Sequence, residues 1–517
     1  MASPTSPHQP SPIFHTMPTL SFVSLLLSSP IKTIHRNPLC HPTGFPTLHY
    51  PARASLTTPS PSTPSPSTPS SPPSPYPTSE KLHSPSKTAL YDVLVIGAGP
   101  AGLSLSSALG ERQLTVACAD PQLHAPWPNH YGVWEDEFQK VGLADCATAR
   151  YDKTTIYAGH NKIVLDRPYI RVDRVKLKQR FVDRCNHARV TMIPARVTDV
   201  DHRSRQWSLV HLDDQDLTIR ARVVIDCTGH ALQFTNASGK NGYQQPWAQA
   251  AYGVEAVVNG HPFETDEMLL MDFRDDHAIG DMRAASDRRP TFLYVFPSGE
   301  RRGFFEETSV IAPTAVSFEE LKKRLERRLE HSGIVIERVI EEEFSLIPMG
   351  GSLPRRGRVV GFGGAAGLVH PATGYMVGRT VKLAEQLAET IGRGLEEIGE
   401  DEDVERVAQM GWDVTWNVGM LRQRDFLKFG AELLGTLGMR ESCAFFDAFF
   451  KLPEDLWIRF LGYELDSGGV RGMFALWFFA IADNEIRIRL LRGIVEIGGW
   501  RLIRSVLPEW MSGWQGE

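Results

Sequence analysis

The sequence has little of what secreted, nucleic-acid-binding or metal-binding proteins need. Its 517 residues include only six cysteines, and no CxxC pair, so we expect neither a disulfide framework nor a zinc site. The formal net charge of −6 provides no basic field for nucleic acid. No apolar run reaches the roughly 18 residues that a membrane-spanning helix needs. The longest, at 473–482, predicts a buried helix, with a helix lying in one membrane leaflet as the alternative.

Acidic residues are missing from the start of the chain. Glu80 is the first one, whereas Lys32, Arg36 and Arg53 precede it. The segment 60–74 consists of Ser, Thr and Pro and cannot form helix or sheet. An acid-poor, Ser-rich leader is typical of plastid or mitochondrial transit peptides. The alternative is a secretory signal at 20–27, although no Lys or Arg precedes that run.

We therefore predict that residues 1–82 are a disordered transit peptide and linker. The mature chain would then begin between Ala54 and Thr88. We predict an FAD-binding domain at 83–400 with an inserted substrate-binding sheet at about 240–345. A helical, aromatic-rich C-terminal region would follow at 401–517.

A glycine-rich turn lies between an apolar run and a helical pattern near residue 97. Gly97 permits a tight turn, Gly99 lets backbone approach a pyrophosphate, and Gly102 lets the helix pack against the strand. Asp120 ends a second apolar run about 20 residues later, the spacing of a ribose hydroxyl acceptor. The predicted dinucleotide-binding residues of this unit are Gly97, Gly99, Pro100, Ala101, Gly102 and Asp120.

Alternating apolar runs and helical patterns continue downstream. We predict a helix at 174–185, a strand at 190–195, a hairpin at 197–212 and a buried strand at 221–229. Strands at 250–258, 268–273, 291–296 and 303–310 would form a separate sheet that covers the ligand. An amphipathic helix follows at 318–332, and its solvated side would carry Lys322, Arg324, Arg327 and Arg328.

A second glycine-rich strand and loop occupies 358–375, and a long helix continues through Arg393. With the first turn and the acidic strand end at 226–229, it resembles the FAD-binding fold of glutathione-reductase-like flavoproteins. Most of that class has an aspartate where this chain has Gly364, which weakens the expected ribityl contact. The resemblance implies that cofactor contacts come from Asp226, Gly229, Gly363, Gly364, Ala365, Gly367, Pro371 and Gly374. The implied fold class is α/β, a Rossmann-like FAD/NAD(P)-binding fold with an inserted antiparallel sheet and a helical C-terminal region.

A narrower resemblance covers nearly all of residues 88–500. The segments that resemble plant-type lycopene cyclases are 129–137, 167–169, 291–294, 304–308, 347–351, 370–376 and 445–450. That family closes the acyclic ψ ends of carotenoids into rings without net redox change, and it needs reduced FAD. The resemblance implies NADPH as the reductant and lycopene or another carotenoid as the substrate. It also implies a plastid location, peripheral membrane contact and other carotenoid enzymes as partners.

Alkene protonation needs a carboxylic acid that burial keeps neutral near pH 7. Glu306 and Glu307 follow an aromatic strand, and neighbouring strand residues point to opposite faces, so only one lines the pocket. The sequence does not settle which; we favour Glu306, with Glu307 behind it. Tyr294, Phe296, Phe304 and Phe305 would surround a cation with electron-rich rings or form plain core. His370 and Tyr375 would shuttle protons or hold the second glycine loop.

Some segments of the sequence resemble cyclases that form a β ring, and others resemble cyclases that form an ε ring. The segments 167–169, 347–349 and 375–376 and Ser309 resemble β-cyclases. Others resemble ε-cyclases: Glu135, Phe305, Ala372 and the segments 351–354 and 481–487. We favour the β ring, then the ε ring, then epoxy-carotenoid-converting enzymes of the capsanthin or neoxanthin type. Enzymes of other classes are a flavin monooxygenase or prenyl reductase; a non-catalytic carotenoid-binding paralogue is disfavoured by the presence of both glutamates.

Overall fold

The structure, a computed structural model, describes residues 90–213, 218–235, 244–399 and 403–508. The predicted leader at 1–82 lies outside the described residues. The strands are β1 (Leu90–Ile96), β2 (Val116–Ala119), β3 (Gly132–Trp134), β4 (Ala147–Tyr151), β5 (Lys153–Ala158), β6 (Asn161–Leu165), β7 (Tyr169–Val172), β8 (Thr191–Ile193), β9 (Val197–Asp201), β10 (Ser208–Leu212), β11 (Thr218–Asp226), β12 (Trp247–Val258), β13 (Glu267–Asp272), β14 (Thr291–Pro297), β15 (Arg302–Ser309), β16 (Ile336–Met349) and β17 (Val359–Gly361).

The α-helices alternate with strands in the first half of the described chain and stand alone after residue 403. They are α1 (Pro100–Glu111), α2 (Glu135–Lys140), α3 (Arg174–His187), α4 (Gly280–Arg288), α5 (Phe318–His331), α6 (Val377–Glu397), α7 (Glu405–Thr415), α8 (Val418–Leu434), α9 (Met439–Phe450), α10 (Glu454–Leu461), α11 (Gly468–Ile481), α12 (Asn484–Gly493) and α13 (Gly499–Val506).

The first sheet has the strand order β8-β2-β1-β11-β10-β9, with β17 paired to β11. Strand β1 runs parallel to both β2 and β11, as expected when buried apolar runs are joined by helices. Helix α1 packs against α3 and α6. Strands β9 and β10 form the predicted hairpin. This arrangement confirms the Rossmann-like α/β prediction and places the first glycine turn at the carboxyl edge of β1.

The second sheet has the order β16-β12-β15-β14-β13-β5-β6. All four strands predicted for a separate sheet belong to it. Strands β5 and β6, however, come from before the predicted 240–345 insertion, and β5 pairs with β13 in parallel. Local pattern could not reveal that pairing, because it joins segments about 110 residues apart.

Helix α5 lies on one face of this second sheet, contacting β12 and β15. Ser317 begins it by accepting a hydrogen bond from the Glu320 N–H, as N-cap serines do. Two of the four side chains predicted to lie on the solvated side of α5 are buried instead. Lys322 and Arg327 are partly exposed, whereas Arg324 and Arg328 are buried. The two buried guanidinium groups find polar partners under the helix.

The described residues from 403 to 508 contain only helices as regular structure, as predicted. Helix α11 contains the long apolar run, and it is not the fully buried helix that we expected. Phe474 and Phe478 pack inward, whereas Met473, Leu476 and Trp477 are exposed. Among the described residues, no helix combines the length and the apolar character that crossing a membrane requires.

Candidate active site

The first glycine turn has an open position at Gly99. A Cβ at Gly99 would have no atom within 4 Å, whereas one at Gly102 would lie 1.8 Å from the Gly97 carbonyl oxygen. Gly97 has φ +106°, a conformation that favours glycine. Gly99 is the N-cap of α1, and the first N–H groups of a helix have no intrahelical partner. An anionic group can therefore approach this turn closely.

Two acids flank the turn and differ in what they can contact. Asp120 is partly exposed and accepts hydrogen bonds from the N–H groups of Ala98 (2.8 Å) and Gln122 (2.6 Å). Its oxygens retain lone pairs for a hydroxyl. Asp226 has no exposed surface. It accepts from the Thr228 N–H and hydroxyl and from the Phe234 N–H. All of these bonds lie within its own loop, so they indicate that Asp226 anchors that loop.

The second glycine loop lies directly beside the first. A Cβ at Gly363 would come within 2.7 Å of the Ala101 Cβ, and one at Gly364 within 3.0 Å of the Gly229 backbone. The three glycine segments that the sequence separates therefore meet at one place. The close approach also explains why glycine, rather than aspartate, stands at 364: a side chain there would press on Gly229.

His370 holds this loop and has no nitrogen left for proton transfer. Its Nε2 donates to the Phe460 carbonyl at 2.8 Å, and its Nδ1 accepts from the N–H groups of Ala372 (3.1 Å) and Thr373 (3.2 Å). Burial lowers its pKa to about 3. These contacts favour the alternative, that His370 holds the loop, over the predicted proton transfer. Of the other loop residues predicted to contact a cofactor, Pro371 and Ala365 are buried, and Gly367 and Gly374 have positive φ.

The two adjacent glutamates of β15 lie on opposite faces of the second sheet. Glu307 has no exposed surface and faces α5, where Arg328 donates to both of its oxygens at 2.8 and 3.0 Å. The Thr291 hydroxyl donates to Glu307 Oε1 at 2.5 Å. Glu307 thus links β15 to α5, and its described hydrogen bonds all lie on the face away from Glu306.

Glu306 is on the face that meets the second glycine loop. It is partly buried and accepts a hydrogen bond from the Thr308 hydroxyl at 2.7 Å. Among the residues that the structure describes, it forms no ion pair. Loss of hydration and the charge of Glu343 raise the pKa of Glu306 to about 8, against the opposing Thr308 bond. Glu306 is thus a carboxylic acid that stays protonated near neutral pH, the property that alkene protonation requires.

Glu343 on β16 was missed by the sequence analysis. It is 7% exposed and accepts hydrogen bonds from the N–H and Nδ1 of His130 at 3.0 and 2.6 Å. Asn129 and Ser345 donate to its other oxygen. Burial opposes its ionisation, but these bonds outweigh burial and lower the pKa of Glu343. The signal was present in the alternation of Glu341, Glu343 and Ser345 along one strand face.

Three tyrosines connect Glu306 to the second glycine loop. Tyr294 is opposite Glu306 across β14 and β15, and its hydroxyl lies against Tyr169, whose own hydroxyl is 3.1 Å from that of Tyr375. Phe304 shares the Glu306 face and packs in the core between the sheets. Phe305 was predicted for the same pocket but packs under α5 with the opposite face, because successive strand residues point to opposite sides.

Glu137 is a second acid that the sequence analysis did not identify. Burial raises its pKa to about 7, although Arg167 lies 3.6 Å from its Oε1 and opposes the shift. That Oε1 accepts no hydrogen bond from the described residues. Its other oxygen lies against the first turn of α6, where a Cβ on Gly378 would come within 3.0 Å of it. The site therefore has two carboxyl groups poised to titrate near neutrality.

A comparison of the whole sequence with known families shows which family the chain belongs to. The family model described as lycopene cyclase protein matches residues 92–488. The chain belongs to the lycopene cyclase family. A lycopene beta cyclase of Nicotiana tabacum is 39% identical over 79% of this chain and 81% of its own length. A capsanthin/capsorubin synthase of Citrus sinensis is equally similar, at 39% over 79% and 80%. A neoxanthin synthase of Solanum lycopersicum is 38% identical over 78% and 81%.

Solved structures share the fold of this lycopene cyclase family member at low identity. A geranylgeranyl bacteriochlorophyll reductase-like protein from Thermoplasma acidophilum has TM-score 0.57 at 14% identity, covering 75% of this chain and 99% of its own. A flavoprotein/dehydrogenase from Cytophaga hutchinsonii has TM-score 0.50 at 13%, covering 78% and 96%. These likenesses confirm the predicted fold class.

Proposed function

We propose that this chain is a plastid lycopene β-cyclase, which closes the ψ ends of lycopene into β rings without net redox change. The observation that carries the proposal is Glu306, an acid whose pKa is raised and which has no ion-pair partner among the described residues, in a chain of the lycopene cyclase family. Relatives named lycopene beta cyclase support the ring type. Their names also place them in chloroplasts or chromoplasts, which supports the plastid location.

FAD is the proposed resident cofactor, in its reduced form with NADPH as the reductant. The residues present fit it: the open turn at Gly99 suits a pyrophosphate, and Asp120 retains acceptor capacity for a ribose. The second loop, from Gly363 to Gly374, would hold the flavin end. When bound, reduced FAD would supply electron density beside a developing cation.

The residues of this chain account for the acid chemistry. Glu306 gives its proton to the terminal alkene, leaving a tertiary carbocation that the neighbouring double bond attacks to close the ring. Loss of a ring proton then forms the cyclic alkene. This proton replaces the one that Glu306 gave, directly or through solvent, so the acid is restored and no electrons are gained or lost. Phe304 and Tyr294 face the same side as Glu306 and offer electron-rich rings to the cation. Glu307 pairs with Arg328 on the other face of the sheet and so holds β15 against α5.

The first experiment is to express the full chain in bacteria that accumulate lycopene, beside Glu306→Gln and Glu342→Gln. The second variant is a matched control, since Glu342 is in the same sheet, on β16, but bonds Tyr252 and Lys322 on the opposite face. We expect β- or γ-carotene from the wild type and the control and unchanged lycopene from Glu306→Gln. Cyclic product from Glu306→Gln would remove Glu306 as the acid.

The same chromatogram separates the alternatives. δ-Carotene would replace the β-cyclase assignment by an ε-cyclase. Unchanged lycopene from the wild type, with ring-bearing product from an epoxy-carotenoid, would favour the activity named for the capsanthin and neoxanthin synthase relatives. NADPH consumed in proportion to product would point to a monooxygenase or reductase instead.

Peripheral membrane contact is proposed through the C-terminal helices. Helices α11 and α13 pack together, and their outer residues are apolar, as are those of α12. The exposed apolar residues are Met473, Leu476, Trp477, Ile488, Leu491, Val495, Trp500 and Ile503. Arg492, Glu496 and Arg501 are exposed among them, so these three charges sum to +1 in a chain whose net charge is −6. Apolar side chains flanked by arginines suit an anionic bilayer surface.

Sedimentation with phosphatidylcholine vesicles, with and without phosphatidylglycerol, tests this surface. The double variant Leu476→Asp/Trp500→Asp is expected to lower vesicle binding by roughly tenfold or more, because each residue loses apolar burial in the lipid. Val335→Asp is the control, an exposed apolar residue on the second sheet. Equal loss in both variants, or none in the double variant, would refute the assignment.

A further inference from the structure

Glu306 and Glu343 stand in one row across three neighbouring strands. Glu306 on β15 is opposite Gly253 on β12, and the same Gly253 is opposite Glu343 on β16. Both carboxylates therefore point to one face, with a residue that has no side chain between them. Two strand spacings separate their Cα atoms by about 9.6 Å.

The gap above Gly253 is filled by an aromatic ring. A Cβ at Gly253 would come within 2.4 Å of the Phe304 Cζ, and Phe304 is 2% exposed. The same ring packs 4.5 Å from the His130 ring. Phe304 thus occupies the space between the two carboxylates, where water would otherwise screen their interaction.

The two acids have opposite surroundings. Glu343 accepts four hydrogen bonds, from His130 (two), Asn129 and Ser345, which favour its charged form. Glu306 accepts from the Thr308 hydroxyl and has no basic side chain within salt-bridge distance. When the surroundings of two titratable groups differ in this way, one group is favoured in its charged form and the other in its neutral form.

We propose that Glu343 is a positioning residue whose fixed negative charge, set by His130, keeps Glu306 protonated at the pH at which the enzyme works. The raised pKa of Glu306 and the lowered pKa of Glu343 agree with this division. The same charge would favour a carbocation formed beside Glu306. The catalytic consequence rests on the proposed cyclase function; the coupling between the two carboxyl groups does not.

Other titratable or charged groups near the pair do not duplicate this effect. Glu341, on the same strand, is paired with Arg174 at 2.6 Å. Helix α5 and its arginines are on the opposite face with Glu307. Glu255 on β12 also faces this side, but it is paired with Arg171 and Arg302, each at 2.7 Å, and Arg171 lies over the Phe304 ring. His130 also lies 3.9 Å from Glu341. Other titratable groups on this side are Tyr294 from β14, Tyr131 from the segment before β3, and Tyr169 and Tyr375 beyond Tyr294.

The test uses two matched pairs of full-chain variants, Glu343→Gln against wild type and Glu343→Asn against Glu343→Asp. Each pair differs in charge at constant side-chain length, so the second pair serves if the glutamine variant does not fold. Infrared titration follows the protonated carboxyl band that disappears in Glu306→Gln, and lycopene cyclisation is followed over the same pH range. Glu342→Gln is the control for loss of a carboxylate from β16.

Activity should fall as pH rises through the pKa of Glu306, because the acid must be protonated to react. Removing the Glu343 charge lowers that pKa, so the band and the alkaline limb should both move to lower pH. At the separation given by the strands, the expected shift is roughly one pH unit or more. Glu343→Asp should lie closer to wild type than Glu343→Asn.

The two readouts separate the inference from the proposed function. A uniform loss of activity with an unshifted carboxyl band would overturn the positioning role and leave a purely structural one. A shifted band in a protein that forms no cyclic product would support the coupling and overturn the cyclase assignment. An equal shift in Glu342→Gln would also overturn the inference, since that carboxylate is on the other face.

Discussion

Glu307 and Arg328 form the buried ion pair on which the stability of the second sheet depends most directly. Their side chains are 0% and 5% exposed and share two hydrogen bonds of 2.8 and 3.0 Å. Burial opposes the Arg328 charge, but Glu307 outweighs it and raises the pKa of Arg328. Glu307→Gln leaves that cation uncompensated in the interior. We expect it to lower the free energy of unfolding by about 3–5 kcal/mol.

Urea unfolding of the purified protein, followed by circular dichroism, measures this loss. Glu307→Leu/Arg328→Met removes both charges and should recover most of the stability, because no unpaired charge remains. Glu342→Gln, which breaks a partly exposed pair with Lys322, should change stability by no more than about 1 kcal/mol. If Glu307→Gln is as stable as wild type yet forms no cyclic product, Glu307 rather than Glu306 is the acid, and the face assignment of β15 is refuted.

Gly99→Ala should leave thermal stability unchanged while lowering the FAD retained on purification, since its Cβ meets no protein atom but occupies the open approach. Gly102→Ala should instead destabilise the fold, because its Cβ would meet the Gly97 carbonyl; equal stabilities would contradict both statements. His370 is neutral in the fold, with its pKa lowered to about 3. Its neutral form therefore stabilises the fold fully above pH 6.5, and this stabilisation is lost as pH falls toward 3. In His370→Gln the free energy of unfolding, measured by urea titration, should fall less steeply over this pH range. An unchanged pH dependence would refute the lowered pKa of His370.

The structural elements that could be predicted from the sequence are those that depend on residue spacing within a short segment. The glycine turn at 97–102, the hairpin at 197–212 and helix α5 depend on residue spacing within a few turns or strands, and the structure confirms each. The aromatic strand ending in Glu306 and Glu307 predicted by alternation alone that the two acids face opposite sides. Arg324 and Arg328 were misplaced because amphipathic pattern treats every arginine as solvated, while a buried carboxylate such as Glu307 reverses that preference.

What the sequence determined by itself is the class of site: two glycine loops, an acid-bearing strand and the motifs of the lycopene cyclase family. Only the tertiary structure decided how those residues act. The loop and Phe460 occupy both ring nitrogens of His370, and the hydrogen bonds of Asp226 all lie within its own loop. The role proposed for Glu343 depends on β12, which places Gly253 between Glu343 and Glu306. Each of these outcomes depends on contacts between segments distant in sequence, and charge, burial and hydrogen bonding at a carboxylate are set by such neighbours rather than by residue type.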